Sequence, residues 1–393
     1  MRTRTIKIPT IYQKYTGYRA RLLLENGKIF DGIGFGYPTR ATGEVVFNTG
    51  MVGYTESLTD PSYHGQLLCM TYPLIGNYGV PSFDIKDEYG LPKYFESDKI
   101  HPRALLIHNL SEIASHWNCI KTLDQWLYEE RIPGIYGIDT RELTKIIRIK
   151  GVMMGCLHVT ADDEIDNLVL EKNLRSDRYE GKNFMNDVSV NKPHVFGKEE
   201  DKTIVLLDTG TKYSIIRNIL KLGFRVVQLP WNTSFEDINS YSPIGVVISN
   251  GPGDPKVCNQ TIDTARRLIE TSTPTLGICL GNQILALAAG ADTYKLKYGH
   301  RGQNKSCKEV TINQSFITSQ NHGYGIEADS LKKSEFNMWF QNPDDKSVEG
   351  IIHKSKPIIA VQFHPEASPG PFDCTFVFDK FKELVLTSKT DQI

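Results

Sequence analysis

Residues 273–289, TPTLGICLGNQILALAA, join a short apolar run to a segment rich in helix-forming Leu and Ala. Thr275–Ile278 has the length and character of a buried strand, and a helix is predicted soon after it. Between the two lies Cys279, with a glycine two residues away on each side. This is the cysteine form of the G-x-S-x-G elbow, in which a strand turns sharply into a helix at a nucleophile. The stretch therefore predicts an α/β domain with its chemistry at this turn.

Other parts of the second half alternate strand-like and helical patterns in the same way. Apolar runs occur at Ile204–Leu207, Arg225–Leu229 and Gly245–Ser249, and an amphipathic segment that ends at Gly223 follows the first of them. Alternation of this kind predicts a mostly parallel sheet that is covered by helices on both faces. Active-site residues of such sheets lie at the carboxyl ends of the strands.

The first half of the chain predicts a mixed α+β domain with short strands. Asn26-Gly27 separates two β-prone runs and favours a hairpin with a type I′ turn. Asp139, three residues before Glu142, predicts a capped helix start. The predicted elements are strands at Arg21–Leu24, Ile29–Gly32, Glu44–Phe47, Gln66–Thr71 and Ala104–His108, and helices at Leu123–Arg131 and Arg141–Ile149.

The length of 393 residues exceeds the usual size of one domain. We predict an N-terminal domain at residues 18–160 and a C-terminal α/β domain at residues 203–388. The intervening residues 161–202 are polar and lack sustained periodicity, so we interpret them as a connecting region.

Charge and cysteine content exclude several classes of protein. The net charge is −1, from 45 basic and 46 acidic residues, which predicts neither a nucleic-acid nor a membrane-surface partner. A membrane span would need about 18 consecutive apolar residues, and the sequence has no such run. The seven cysteines include no C-x-x-C pair, which argues against a disulfide framework and a structural zinc site. We expect a cytoplasmic protein without a metal, although the basic leader at residues 1–20 leaves an organellar transit peptide open.

A second motif follows another strand-like run, at His364-Pro365-Glu366. Side chains at positions i and i+2 of an extended chain point the same way, so Glu366 is placed to orient the imidazole of His364. Together with Cys279, these residues form a nucleophile, a base and an orienting carboxylate. Taken singly, the histidine is also typical of an ordinary loop and the cysteine of a buried core thiol.

A third motif, SNGPGDP at residues 249–255, also follows an apolar strand. Its glycines expose backbone N–H groups to a ligand, although an ordinary turn has the same composition. At the elbow, the N-terminus of the helix stabilises a thiolate, and the N–H of Leu280 can donate to an oxyanion. We interpret His322 as structural and His300 as a surface-loop residue.

These three motifs together resemble the class I, or triad, glutamine amidotransferases. Motifs of the first half narrow the resemblance to the small chains of glutamine-dependent carbamoyl-phosphate synthetases, because other triad enzymes lack this half. The stretches that carry the narrower resemblance are Gly43–Thr49, Gly53–Tyr63, Tyr72–Gly79, Gly137–Arg141 and Phe363–Pro371.

The resemblance implies roles for individual residues. Cys279 attacks the side-chain amide of glutamine, His364 transfers protons, and Glu366 fixes the orientation of His364. Gly251 and Leu280 supply N–H groups to the oxyanion. The positions implied to bind glutamine are Ser62, Gly251, Gly253, Leu280, Gln283, Asn321, Gly323 and Tyr324. Many relatives carry His at the position of Asn282. That His belongs to the helix after the nucleophile and is a less plausible base than His364, so we expect hydrolysis to survive, with glutamine affinity or coupling as the properties open to change.

The resemblance also implies an activity and a partner. Glutamine is hydrolysed through a thioester to glutamate and ammonia, and the ammonia reaches a large chain that makes carbamoyl phosphate from bicarbonate and ATP. This chain has no G-x-x-x-x-G-K-[ST] loop. We therefore expect no cofactor here, with ATP and Mg²⁺ bound only by the large chain.

Two alternatives stay open, namely a catalytically weak docking or regulatory subunit and an independent γ-glutamyl hydrolase. The end at Asp391-Gln392-Ile393 suggests a separate subunit, and a fragment of a fused polypeptide has the same appearance. The pathway served, whether arginine or pyrimidine synthesis, stays open as well.

Overall fold

A computed structural model of the chain describes residues 17–162 and 164–388. The basic leader, apart from residues 17–20, and the last three residues lie outside the described residues, so the expectations about them stay predictions. Two compact units interleave along the sequence. The first unit comprises the described residues through Phe47, Gly65–Ser82 and Pro102–Arg178, and the second comprises Asn48–His64, Phe83–His101 and the described residues from Tyr179 onward. The linear boundaries at residues 160 and 203 stay a prediction.

The described strands and helices are numbered in chain order. The strands are β1 Tyr18–Leu24, β2 Ile29–Gly36, β3 Arg40–Asn48, β4 Gln66–Met70, β5 Leu74–Ile75, β6 Ala104–Leu106, β7 Asn109–Leu110, β8 Pro133–Tyr136, β9 Met153–Thr160, β10 His194–Phe196, β11 Thr203–Asp208, β12 Arg225–Pro230, β13 Gly245–Ile248, β14 Thr275–Ile278, β15 Thr293–Glu309, β16 Gln314–Ile326, β17 Phe336–Gln341, β18 Val348–His353 and β19 Ile358–Val361. The α-helices are α1 Tyr54–Leu58, α2 Leu123–Glu129, α3 Thr140–Lys150, α4 Asn167–Ser176, α5 Met185–Val188, α6 Tyr213–Lys221, α7 Phe235–Asn239, α8 Asn259–Glu270, α9 Leu280–Ala288, α10 Ala328–Leu331 and α11 Phe376–Thr387.

Strands of the first unit close into a barrel in the order β1-β2-β8-β6-β4-β3-β9. β4, β6 and β8 run parallel to one another, whereas β1 pairs antiparallel with both β2 and β9. Many apolar side chains of these strands are fully buried, because a small barrel fills its interior with side chains. Examples from five strands are Leu22, Val45, Leu67, Leu105 and Leu157.

The hairpin between β1 and β2 confirms the predicted pairing but not the predicted turn type. A type I′ turn requires a positive φ at both central residues, and in this loop only Gly27 has one, at 82°. The N–H of Gly27 donates to the carbonyl of Leu24 at 2.9 Å. The hydrogen bond closes a turn over residues 24–27, and Gly27 ends this turn in the left-handed region. The type I′ prediction is therefore wrong.

Both predicted helices of the first unit are confirmed as α2 and α3. The carboxylate of Asp139 accepts a hydrogen bond from the N–H of Glu142 at 2.8 Å, which caps α3 as predicted.

The region 161–202 is more ordered than its polar sequence predicted, because it contains α4, α5 and β10. Leu170 and Leu174 lie one helical turn apart on α4 and are both buried, which stabilises this otherwise polar helix. In the described part of the chain, no helix is long and apolar enough to cross a membrane.

The second unit contains a ten-stranded sheet in the order β10-β12-β11-β13-β14-β19-β18-β16-β15-β17. Its five central strands, from β12 to β19 in that order, are parallel, and antiparallel strands flank them on both sides. This confirms the predicted mostly parallel sheet. Alternate residues of β11 join two separate apolar cores, which contain residues of α8 and α9 on one side and of α6 and α11 on the other. The sheet is therefore covered on both faces.

Candidate active site

Cys279 lies at the junction of β14 and α9, as the elbow motif predicts. Its φ of 54° and ψ of −99° place a non-glycine residue in a strained region of the backbone. The N–H of Cys279 donates to the carbonyl of Val361 at 2.8 Å, which ties the elbow to β19. A side chain at Gly281 would collide with the backbone of Ile248, so only glycine permits this close approach. The thiol is 2% exposed.

Leu280 and Gly251, whose N–H groups are implied to bind the oxyanion, are neighbours in the structure. The helix α9 begins at Leu280, so the N–H of that residue has no acceptor within its own helix. Gly251 lies against this helix start, because a Cβ on Gly251 would lie 2.8 Å from the side chain of Leu280 and would collide with the carbonyl of Thr209. Gly251 and Leu280 are thus neighbours, as an oxyanion site formed by both would require.

His364 and Glu366 form a close pair, with 2.6 Å between Nδ1 and Oε1. His364 forms a β-bridge with Ser319, but Glu366 lies in the turn that follows, so the prediction that an extended chain pairs the two residues is wrong. The N–H of His364 donates to the carbonyl of Ser319 at 2.9 Å, which fixes the backbone at this point. The buried Nε2 of His364 forms no hydrogen bond of normal geometry with any described residue. This nitrogen is therefore available to exchange a proton with the thiol.

Charges around this pair hold it in the ionised state. Burial and, to a smaller extent, Lys212 lower the pKa of His364, but Glu366 and Cys279 outweigh these effects and raise it to about 10. Burial raises the pKa of Glu366, but Lys212 and His364 outweigh it and lower the pKa to about 2. An imidazolium flanked by a carboxylate is the arrangement that stabilises a neighbouring thiolate.

Lys212 is a buried member of the site that the sequence interpretation missed. Its Nζ lies 2.9 Å from Oε1 of Glu366 and donates to the carbonyl of Ala367 at 2.6 Å. Burial lowers the pKa of Lys212, but Glu366, Glu96 and Asp60 raise it above its ordinary value. Its position in the sequence could have indicated this role, because Lys212 follows the carboxyl end of β11, where active-site residues were expected.

Ser62 and Asn321, both implied to bind glutamine, are joined through polar neighbours. Asn250 donates from Nδ2 to Oγ of Ser62 at 2.9 Å, and Asn321 donates from Nδ2 to the carboxylate of Asp60 at 2.9 Å. The carbonyl of Asn321 lies 3.7 Å from the sulfur of Cys279. Ser62 belongs to the same compact unit as Cys279, so this segment of the first half packs with the second half.

Gln362 connects the helix α9 with the thiol, although the sequence interpretation gave it no role. Gln283 and Asn282 donate to its Oε1 at 3.0 and 3.2 Å, and its Nε2 lies 3.7 Å from the sulfur of Cys279. Gln283 also donates to the carbonyl of Tyr324 at 2.8 Å. Asn282 thus reaches the nucleophile through one intermediate side chain.

The remaining positions implied to bind glutamine are two glycines, Gly253 and Gly323. Gly253 has a φ of 88°, which favours glycine, and a Cβ there would meet the ring of Phe184 at 3.3 Å. A Cβ on Gly323 would lie 3.1 Å from a guanidinium nitrogen of Arg301, a flexible side chain. The roles of all the implied catalytic and glutamine-binding residues stay predictions.

Comparisons with known proteins cover both parts of the chain. Residues 22–157 match the family described as carbamoyl-phosphate synthase small chain, CPSase domain, and residues 205–384 match glutamine amidotransferase class-I. The carbamoyl phosphate synthase small chain of Pyrococcus furiosus is 48% identical over 366 residues, which are 93% of this chain and 97% of that protein. The chain belongs to the carbamoyl phosphate synthase small chain family.

Other members and relatives of this family extend the match. The small chain of Sulfolobus acidocaldarius is 44% identical over 363 residues, which are 92% of this chain and 96% of that protein. The Multifunctional protein CAD of Squalus acanthias is 48% identical over 366 residues, which are 93% of this chain but only 16% of that much longer protein. The family resemblance inferred from the motifs is thereby confirmed.

Proposed function

We propose that this chain is the glutamine-hydrolysing subunit of a carbamoyl phosphate synthase. It hydrolyses glutamine to glutamate and ammonia and delivers the ammonia to a large synthetase chain. The observation that carries the proposal is the strained elbow at Cys279 beside the ionised His364–Glu366 pair, in a chain 48% identical to a whole small chain.

The first step is attack by the thiolate of Cys279 on the side-chain amide carbon of glutamine. A carbon–sulfur bond forms, and the carbonyl electrons move onto oxygen to give a tetrahedral oxyanion. In this proposal the N–H groups of Leu280 and Gly251 donate to this oxygen, which the contact between the two residues supports. Removal of one such donor in other enzymes costs about 10²- to 10³-fold in rate.

The second step releases ammonia. The oxyanion collapses, the carbon–nitrogen bond breaks, and protonated His364 delivers the proton that the departing nitrogen needs. A glutamyl thioester remains on Cys279. Neutral His364 then takes a proton from water, which attacks the thioester and releases glutamate and the thiolate.

Glu366 and Lys212 support these proton transfers without touching the substrate. Glu366 holds Nδ1 of His364, so that Nε2 is directed away from the carboxylate and remains the reactive nitrogen. Lys212 compensates the charge of Glu366 in a buried position, where an unpaired carboxylate would be costly. We assign both as positioning residues.

Synthesis of carbamoyl phosphate from bicarbonate and ATP belongs, in this proposal, to the large chain. Free ammonia in neutral water becomes ammonium and loses its nucleophilic lone pair, so direct transfer between the two chains is chemically advantageous. We propose that this chain needs no cofactor, that it binds neither nucleic acid nor membrane, and that it works in the cytoplasm. The last point is supported by its seven cysteines, all free thiols, which suit a reducing compartment.

The test combines this chain with a carbamoyl phosphate synthase large chain. Glutamate release and carbamoyl phosphate formation are measured with glutamine or ammonium chloride as nitrogen donor. The proposal expects slow glutamate release alone, faster release with partner, bicarbonate and ATP, and glutamine-dependent synthesis only when this chain is present. No glutamate under any condition would favour the docking subunit. Fast, partner-independent release that extends to γ-glutamyl peptides would favour the independent hydrolase.

A further inference from the structure

A second cluster of buried polar side chains lies outside the reaction just described. His300 on β15, His322 on β16 and Glu349 on β18 come from strands that are neighbours in the sheet. One donor atom of each lies within 4.8 Å of the other two. His300 and His322 face each other across the strand pair. His300 is 8% exposed, so its interpretation as a surface-loop residue is wrong.

Each imidazole has one nitrogen held by an acceptor and the other turned towards Glu349. His300 lies 2.8 Å from a carboxylate oxygen of Asp345 through Nε2, and 3.1 Å from Oε1 of Glu349 through Nδ1. His322 lies 2.8 Å from the carbonyl of Tyr324 through Nδ1, and 3.8 Å from Oε2 of Glu349 through Nε2. A carboxylate or carbonyl acceptor on the far nitrogen is how metal-binding histidines are oriented.

Two acceptors lie near the inner nitrogen of His322. A carbonyl can only accept, so Nδ1 of His322 carries the proton given to Tyr324 and Nε2 of the neutral ring presents a lone pair. The nearest partners of Nε2 are Oε1 of Gln320 at 3.4 Å and the Glu349 carboxylate. The amide nitrogen of Gln320 donates to the same carboxylate at 3.2 Å, which fixes the orientation of the amide. The lone pair of His322 and the carboxylate of Glu349 therefore converge on the position that Nδ1 of His300 also faces.

We propose that His300, His322 and Glu349 bind a divalent transition-metal cation of the zinc class. Metal–ligand bonds of about 2.0 to 2.2 Å place the donor atoms of a tetrahedral site about 3.3 to 3.5 Å apart. Nδ1 of His300 lies 3.1 Å from one oxygen of Glu349, and Nε2 of His322 lies 3.8 Å from the other, so each separation is near that value. Two neutral imidazoles and one carboxylate are ligands that zinc accepts readily, with water as the fourth ligand.

A proton on His300 is the competing occupant of the same position. Burial lowers the pKa of His300, but Asp345 and Glu349 raise it to about 9. The proton satisfies His300 and Glu349 and leaves Nε2 of His322 among acceptors. A cation satisfies all three groups at once, which is why we favour it.

The proposed cation would act on the position of β16 and not on the reaction itself. His322 immediately follows Asn321, whose carbonyl lies 3.7 Å from the sulfur of Cys279. A cation that joins β16 to β15 and β18 would therefore hold the strand that carries three of the implied glutamine-binding positions. This inference is independent of the proposed function, because it concerns metal binding by other residues. No sequence motif indicated this site, since ligands on three strands leave no short spacing pattern.

The test is a titration of the full chain with Zn²⁺ against a chromophoric chelator. Cys279→Ser serves as the background, because a thiolate beside an imidazole would bind zinc by itself. The proposal expects one equivalent of zinc and a rise in melting temperature in that background. Glu349→Gln, which keeps the size of the side chain, should lower zinc affinity at least about 100-fold, and Asp345→Asn about 10- to 100-fold.

His353→Gln is the matched control, since His353 is a buried histidine 3.4 Å from a different carboxylate, that of Glu335. The His353→Gln variant should still bind one equivalent of zinc. Co²⁺ in place of zinc should give the visible absorption of a four-coordinate site in the Cys279→Ser background, a readout that needs no further variant. No zinc bound in the Cys279→Ser background would overturn the proposal and assign the position to a proton. Equal affinity in the background and in folded Glu349→Gln would overturn it as well.

Discussion

Nζ of Lys212 lies 2.9 Å from Oε1 of Glu366, and the two side chains are 3% and 0% exposed. The same carboxylate oxygen lies 2.6 Å from Nδ1 of His364. One buried oxygen thus faces two cationic groups, and the other, Oε2, meets no hydrogen-bond partner among the described residues. The charge of Glu366 therefore depends on both partners.

Lys212→Met should destabilise the protein and slow glutamine hydrolysis. The substitution keeps an apolar stem but leaves a buried carboxylate with one cationic partner, and breaking such a pair costs about 3 to 5 kcal/mol. Because Lys212 also lowers the pKa of Glu366, the loss of stability between about pH 4.5 and 2 should be smaller in the variant than in the unchanged chain. Urea unfolding at several pH values measures both effects.

Lys256→Met is the matched control for that experiment. Its Nζ lies 2.7 Å from a carboxylate oxygen of Asp292, but the two side chains are 48% and 61% exposed. Surface pairs of this kind contribute about 0 to 1 kcal/mol. Equal destabilisation by the two substitutions would contradict the role assigned to burial at Lys212.

The pH dependence of stability should carry the signature of His364 and Glu366. The raised pKa of His364 contributes stability that is complete below about 6.5 and is lost as the pH rises through about 10. The lowered pKa of Glu366 contributes stability that is complete above about 4.5 and is lost as the pH falls through about 2. Their joint contribution is therefore largest between about pH 4.5 and 6.5. His364→Gln should flatten the alkaline decline in urea-unfolding free energy, and an unchanged slope would refute this assignment.

The sequence predicted features that depend on neighbouring residues. The elbow at Cys279 is local, because closely spaced glycines and a strand-to-helix switch determine it. The parallel sheet followed from repeated apolar runs for the same reason. The His364–Glu366 pair was also predicted, although a turn and not an extended chain brings the two side chains together.

Features that depend on distant residues were missed. Lys212 meets Glu366 across 154 positions of sequence, and no short pattern encodes such a contact. The segments Asn48–His64 and Phe83–His101 pack with the second unit, although they precede the predicted linker by many residues. The helix α4 was overlooked because only Leu170 and Leu174 on it are buried.

Asn282→Ala should weaken glutamine hydrolysis without abolishing it. The change removes a 3.2 Å hydrogen bond to Gln362, whose other donor, Gln283, remains in place. The loss of one such bond costs about 0.5 to 1.5 kcal/mol, which corresponds to a fall in kcat/KM of about 2- to 12-fold. Asn239→Ala, at the exposed end of α7, is the control and should have no effect. A loss beyond about 100-fold would show that Asn282 contacts the reaction directly.

The central claim is that Cys279 is the nucleophile in glutamine hydrolysis. The most direct measurement is glutamate release from glutamine by Cys279→Ala in complex with the large chain, with the buried Cys258→Ala as control. We expect Cys279→Ala to release no glutamate and yet to support carbamoyl phosphate synthesis from added ammonia, while Cys258→Ala releases glutamate normally. Glutamate release by Cys279→Ala at a rate near that of the unchanged chain would contradict the account.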